Sequence, residues 1–201
     1  MSEDTSNSSM PMDIRIGAMH HNLNEITKFH NHVHGFFNTN LANSQVADDL
    51  SLSDKTWLKR EYDTHMPNQL RKSVFLMMFG HLEEHLFLGW CDHGSVEDEK
   101  DDRKDGVKKF KNLFHNIGID VSKDSDYQFI VDAYKVRNSF IHTAGRIDIT
   151  KKTGELERLV KNHSNFFEIK NKRVYLTSEG IFHFRRAIEA FSELVTRAAK
   201  R

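Results

Sequence analysis

Tyr134-Lys135-Val136-Arg137-Asn138-Ser139-Phe140-Ile141-His142-Thr143-Ala144-Gly145 puts a guanidinium, an amide and an imidazole into a segment whose apolar residues recur at helical steps. Phe129, Ile130, Ala133, Tyr134, Val136, Phe140 and Ile141 fall three and four residues apart, which predicts an amphipathic helix. At about 100° per residue, Asn138 and His142 lie one turn apart on nearly one azimuth, with Arg137 flanking them. A helix built only for packing would not interrupt its apolar face in this way. Together the three groups can hold a phosphate and move a proton, and Gly145 suits the helix C-terminus.

Working outward, the chain reads as helical throughout. It holds 15 phenylalanines and only two prolines, a balance that favours helices over a sheet fold. Residues 1–11 (MSEDTSNSSMP) are polar and serine-rich and are expected to be disordered. A first long helix is expected from Met12 to about Phe37, ending near 38–43, with Ile16, Met19, Leu23, Ile26, Phe29, Val33 and Phe36 or Phe37 at helical spacing. "SLSDKTWLKREYDTHMP" reads as a shorter helix and turn closed by Pro67. Residues 68–90 form a second long helix, apolar nearly all round and therefore expected at the centre. Residues 92–106 are charged and read as an exposed loop. An amphipathic segment at 107–117 and a turn with capping residues lead into the motif helix. "ELERLV" suggests a short helix, and 166–169 with 174–176 suggest a small hairpin. Thr177 or Ser178 then caps a last helix over 180–197.

The bulk numbers bound the function. At 201 residues the chain is one domain with a helical extension, long enough to bury a core without staples. Lys plus Arg and Asp plus Glu both number 29, so no global field draws the chain to nucleic acid or anionic membrane, and RNA binding needs a local patch. The single cysteine, Cys91, rules out an intrachain disulfide framework and a cysteine-rich zinc site, and fits a reducing cytosol. No signal-peptide pattern or membrane-length apolar run is present, so a cytoplasmic protein with no membrane partner is expected.

The spacing Arg137-Asn138-x-x-x-His142 resembles the signature of the HEPN superfamily, small all-α domains, many of them metal-independent ribonucleases. The family pattern is Arg, a polar residue that is often Asn, then His four to six residues after the Arg. The apolar helix containing "HLEEHL" upstream, and "FFEIKNKRVYLTSEG" leading into a closing amphipathic helix downstream, are similar to the family's flanking elements. The resemblance covers roughly 65–198, leaving 12–64 as an N-terminal helical extension of a single domain over 12–201. It implies an all-α HEPN-like bundle in which two motifs face each other across a homodimer. It also implies a metal-independent endoribonuclease without cofactor, of a kind that commonly serves as a toxin, with a possible cognate antitoxin protein, or as a defence effector.

The chemistry such an enzyme needs is modest. His142 can act as base or acid because imidazole titrates near neutrality. Arg137 can bind phosphate oxygens with its planar fork, most strongly as charge develops. Asn138 would orient His142 or the phosphate. One imidazole does not easily make both proton transfers, so a second copy would supply the missing partner. Phe140 and Ile141 are expected to anchor the helix. Gly145 supports its end, and Glu83 or Glu84 at the core edge can pair with Arg137 or a lysine and orient the motif. From Lys170 to Arg201 the chain carries eight Lys/Arg against three Glu, and Lys172, Arg173, Arg185 and Arg186 are the expected RNA-binding residues. The rival reading is a non-catalytic HEPN-like module that binds RNA, nucleotide or a protein partner.

Two other constellations point to metals. His81-Leu-Glu-Glu84-His85 matches the His-x-x-Glu-His arrangement of one class of zinc peptidases. Its third ligand would have to be Glu155 or Glu157, in no recognisable motif, and its helix is apolar on every side. His20, His21, His30, His32 and His34 crowd the first helix, but on a helix only His30 and His34 share a face. Surface or interface histidines are the expectation there, with no metal site.

Overall fold

The computed structural model describes residues 12–93 and 106–199. The 1–11 tail and most of the charged 92–106 segment lie outside the described residues. Helix α1 spans Met12–Val46, α2 Leu52–Arg60 and α3 Met66–His93. A 3-10 turn at Gly106–Phe110 leads into α4 (Lys111–Asn116), and a second at Val121–Lys123 precedes α5 (Ser125–Thr143). Helix α6 (Thr153–Asn162), strands β1 (Phe167–Lys170) and β2 (Arg173–Leu176) and helix α7 (Ser178–Ala199) complete the chain. The protein is all-α with one small antiparallel hairpin before the last helix. Among the described residues no helix is long and apolar enough to cross a membrane.

Helix α3 is central, as its all-round apolar sequence predicts. Val74, Phe75, Met78, Phe79, Leu82 and Leu86 are buried, and the two phenylalanines tie the surrounding elements together. The Phe75 ring lies 4.6 Å from Phe184 of α7, 6.0 Å from Phe140 of α5 and 6.2 Å from Phe167 of β1 between centroids. Phe79 reaches Phe184 at 4.5 Å and Tyr134 at 6.1 Å. A fully buried Phe stabilises the fold by about 2–3 kcal/mol, so this cluster fixes where the motif helix can sit.

Two boundaries differ from the sequence reading, each for a local reason. Helix α1 does not stop near 38–43 but runs to Val46. No proline interrupts it, and its late polar side chains bond back to the helix: Thr39 donates to the Gly35 carbonyl at 3.1 Å and Asn40 to the Phe36 carbonyl at 2.8 Å. Its inward stripe is Met19, Leu23, Ile26, His30 and Phe37, whereas Phe29 and Phe36 are 49% and 60% exposed. Pro67 does not close a turn either. Helices α2 and α3 run on through a wide π-helical turn, Glu61–His65, in which the Met66 N–H reaches the Glu61 carbonyl. Proline has no N–H to place in an α ladder, and a local change of helical pitch accommodates that missing donor next door.

The hairpin is tighter than the sequence suggests. Lys170 pairs with Arg173, leaving Asn171 and Lys172 as a two-residue turn with φ of 50° and 60°, the left-handed pair that matches strand twist. Thr177 is the cap of α7, its hydroxyl accepting from the Gly180 N–H at 2.9 Å and donating to the Asn165 carbonyl at 2.8 Å. A Cβ at Gly180 would stand 2.4 Å from the Phe166 carbonyl oxygen, so only glycine lets the helix start this close to β1.

Candidate functional site

Asp124 starts the motif helix by accepting the Tyr127 N–H on its side chain at 2.7 Å. From there Tyr127, Ile130, Ala133, Val136 and Phe140 turn inward. The opposite stripe is Lys135, Asn138 and His142, three and then four residues apart and hence one above another. With Thr150, Lys152 and Glu155 this stripe lines a cavity of about 230 Å³ between α5 and α6. His142 is exposed, and Asn138 is half-buried.

Arg137 sits one position round the helix and is drawn to the same place. Its Nη1 donates to Asn138 Oδ1 at 3.1 Å, and its guanidinium lies over the Tyr134 ring at 5.4 Å. Both contacts hold the fork beside the stripe, and the first orients the Asn138 amide with its oxygen toward Arg137. The sequence-expected trio is therefore brought together, Asn138 and His142 in the cavity wall and Arg137 bonded to it.

Sequence reasoning missed Lys135 and its partners. Lys135 Nζ lies 3.0 Å from Asp132 and 3.2 Å from Glu155, and Asp132 accepts from His163 Nε2 at 3.1 Å. Burial pulls the Lys135 ammonium down, but the bonds from Asp132 and Glu155 outweigh it and hold its pKa above the ordinary value. For Asp132 burial pushes up, yet the bonds from Lys135 and His163 hold the carboxyl below its usual range. Lys135 is thus a fixed cation in the wall. Lys152 Nζ stands 3.9 Å from the same Glu155. The signal was available: 135, 138 and 142 follow the helical period that already joined Asn138 to His142.

The helix ends on Ala144 and Gly145, with φ of 51° and 81°. The Gly145 N–H bonds back to the Ser139 carbonyl at 2.9 Å, and the Gly145 carbonyl accepts from the Val174 N–H at 2.9 Å. A Cβ on Gly145 would meet the Val174 carbonyl oxygen at 3.0 Å and the Phe140 ring at 3.1 Å. Gly145 thus lets β2 clamp the end of the motif helix. Phe140 is buried and anchors the helix, whereas Ile141 is 48% exposed.

The expected RNA-binding cations divide. Arg173 donates to the Ala144 carbonyl at 3.3 Å, placing a cation at the negative end of the motif helix, and Lys172 is exposed in the adjoining turn. Lys72 of α3 joins them, 5.3 Å from the Phe140 centroid and 5.7 Å from that of Tyr175. Burial, and then Arg173, lower its pKa. Arg185 is elsewhere: it donates to Thr27 at 3.1 Å and Asn24 at 2.7 Å and pairs with Glu189 at 2.9 Å, a lock between α7 and α1. Arg186 is exposed on α7 and does not line the cavity.

The acidic residues expected to support the motif do not reach it. Glu84 pairs with His81 at 3.6 Å and lines a different cavity, between α1 and α3. Glu83 is half-buried on α3 and is absent from the motif cavity's wall. The His-x-x-Glu-His pattern is likewise divided in role, because His85 is 6% exposed and lies beside the positive Arg15. His30 is buried and stacks on His34 at 5.9 Å. Among the described residues no three of His, Cys, Asp and Glu are grouped to hold a metal ion. No family model matches this chain, and neither a curated protein nor a solved structure matches it.

Proposed function

We propose that this chain is a HEPN-type, metal-independent endoribonuclease that cleaves RNA by attack of the ribose 2′-hydroxyl. The observation that supports it is one helix stripe, Lys135, Asn138 and His142, opening into one cavity with Arg137 tied to Asn138. His142 takes the 2′-hydroxyl proton or gives one to the departing 5′-oxygen. Arg137 and Lys135 offset the charge that builds on the phosphate, and the Asn138 amide N–H groups point a phosphate oxygen or the imidazole. Lys72, Lys172 and Arg173 at the helix end guide the RNA backbone toward the cavity. A toxin or defence effector in the cytoplasm, with or without an antitoxin, is the setting the HEPN resemblance suggests. Purified protein is expected to cut RNA in excess chelator and to leave 2′,3′-cyclic phosphate ends. Cleavage that disappears with chelator and returns with a divalent ion would overturn the metal-independent reading.

A second reading keeps the cavity and removes the chemistry: a HEPN-like module that binds RNA, nucleotide or a protein. Glu155 favours it, because a carboxylate between Lys135 and Lys152 cancels part of the charge a phosphate would need. RNA binding without any cut product decides for the module.

The enzyme reading also requires two copies. One imidazole serves one proton transfer, and Ile141, exposed between Arg137 and His142, offers an apolar contact for a partner's motif helix. Wild-type protein unfolded and reassembled with His142→Ala subunits is expected to lose activity faster than the wild-type fraction falls. Loss strictly proportional to dilution, or an active monomer by light scattering, would mean that each subunit works alone.

A further inference from the structure

We propose that the Glu155 carboxylate occupies the seat of the substrate phosphate in the α5–α6 cavity, and that RNA enters by taking its place. This role for Glu155 rests on the ribonuclease reading above and adds a gate to it. The site is closed by an anion of its own chain until an RNA phosphodiester displaces that anion.

Three features single Glu155 out. The first is position. Its carboxylate bridges two lysines of the cavity wall, with Oε1 3.2 Å from Lys135 Nζ and Oε2 3.9 Å from Lys152 Nζ. Asn138 and His142 line the same space of about 230 Å³, so an anion seated on the two ammoniums shares the cavity with the imidazole. The second is charge. Lys135 has two carboxylates, Asp132 at 3.0 Å on its own helix and Glu155 on α6. With Lys152 the network holds two ammoniums and two carboxylates. A phosphodiester added to all four would make the group negative and be repelled. In place of Glu155 it carries the same single charge and keeps the balance. The third is freedom to leave. Asp132 accepts a further bond from His163 at 3.1 Å, and it keeps Lys135 in place when Glu155 goes. Glu155 stands in the first turn of α6 with its side chain 34% exposed. Leu156, Leu159 and Val160 of the same helix are buried, so α6 stays while the carboxylate swings to water. Ion pairs this open to solvent are weak, and a strand that also reaches Lys72, Lys172 and Arg173 can break them.

The test is the affinity of the full chain for a 2′-O-methyl oligonucleotide, which lacks the attacking hydroxyl and so reads binding apart from cleavage. Glu155→Gln keeps the size of the side chain and removes its charge, and is expected to bind about tenfold more tightly than the wild type. Glu157→Gln makes the same change in net charge from an exposed position on α6 that does not line the cavity. It should change affinity by about twofold or less. On cleavable RNA, Glu155→Gln should lower KM by its gain in affinity with kcat little changed, because the carboxylate is displaced in ground state and transition state alike. The gate is overturned if Glu155→Gln binds no more tightly than Glu157→Gln, or if it fails to fold, since the carboxylate is then structural. It is also overturned if kcat collapses, which would make Glu155 a catalytic group. Tighter binding by Glu155→Gln in a protein that cuts no RNA keeps the phosphate seat and removes the ribonuclease. Cutting by the wild type without tighter binding by the variant does the reverse.

Discussion

His142→Ala is expected to lower RNA cleavage by about 10²–10³-fold or more while the protein unfolds at an unchanged denaturant midpoint. The two halves of that result come from different facts. His142 is exposed and stands outside the packed core, so its loss removes no buried contact, and surface substitutions of this kind fall within about 0.5 kcal/mol. Its only large effect must then be on chemistry. Arg137→Ala is expected to match it in rate, with a small loss of stability because the guanidinium also lies over Tyr134. Arg137→Lys separates the two jobs. A lysine keeps the charge but not the fork that reaches Asn138, so it should recover less activity than stability. Full activity in either alanine variant, in protein shown free of contaminating nuclease, would remove His142 and Arg137 from the reaction.

How far the sequence reached depended on whether a signal was local. The motif helix, its neighbour α3 and the cap of α7 were readable because period and capping chemistry act within one turn or two. Phe129, Ile130, Ala133, Val136 and Phe140 do pack inward, as their spacing predicts. What escaped was set by tertiary partners. Nothing in α1 says that Phe29 and Phe36 face out while His30 goes in; that follows from where α3 and α7 lie against it. Arg185 looked like part of a basic surface because its bonds to Asn24 and Thr27 join residues far apart in sequence. Glu84 was placed near the motif for a related reason. A carboxylate on an all-round apolar helix must leave the core somewhere, and only packing shows that it does so on the α1 side. Lys135 is the mixed case: the helical period puts it on the stripe with Asn138 and His142, but the pairing with Glu155 that fixes it depends on where α6 lies. The continuous α2–α3 run shows a local rule outweighed: Pro67 ordinarily ends a helix, and the π-helical turn before it removes the reason.

Acid is expected to destabilise this protein well before its carboxylates titrate, and His85 is the main cause. Burial, then Arg15 and His20, push the folded His85 imidazole down from its ordinary 6.5 to about 4. The unfolded chain therefore takes up a proton at this residue as pH falls below 6.5, and the folded protein does not until about pH 4. Over that interval the unfolded state binds more protons, so stability falls as pH falls. The gap corresponds to roughly 3 kcal/mol by pH 4 and about 2 kcal/mol by pH 5. His30 adds to the same trend through burial, and His183 through burial and Arg186. The carboxylate network does not share the window. Asp132, held below its usual range, keeps its contribution until pH falls past the ordinary value of 3.8. Asp126, pushed up by burial, works in the opposite sense near the bottom of the interval. Urea unfolding at pH 7.5 and pH 5.0, in buffers without carboxylates, measures the difference. The wild type should lose about 2 kcal/mol or somewhat more between them. His85→Gln, neutral at both pH values, should lose only what His30 and His183 contribute. If the two proteins lose the same amount, the buried imidazole at α1–α3 does not govern the acid limb, and the source must be sought at His30 on the other end of the same helix pair.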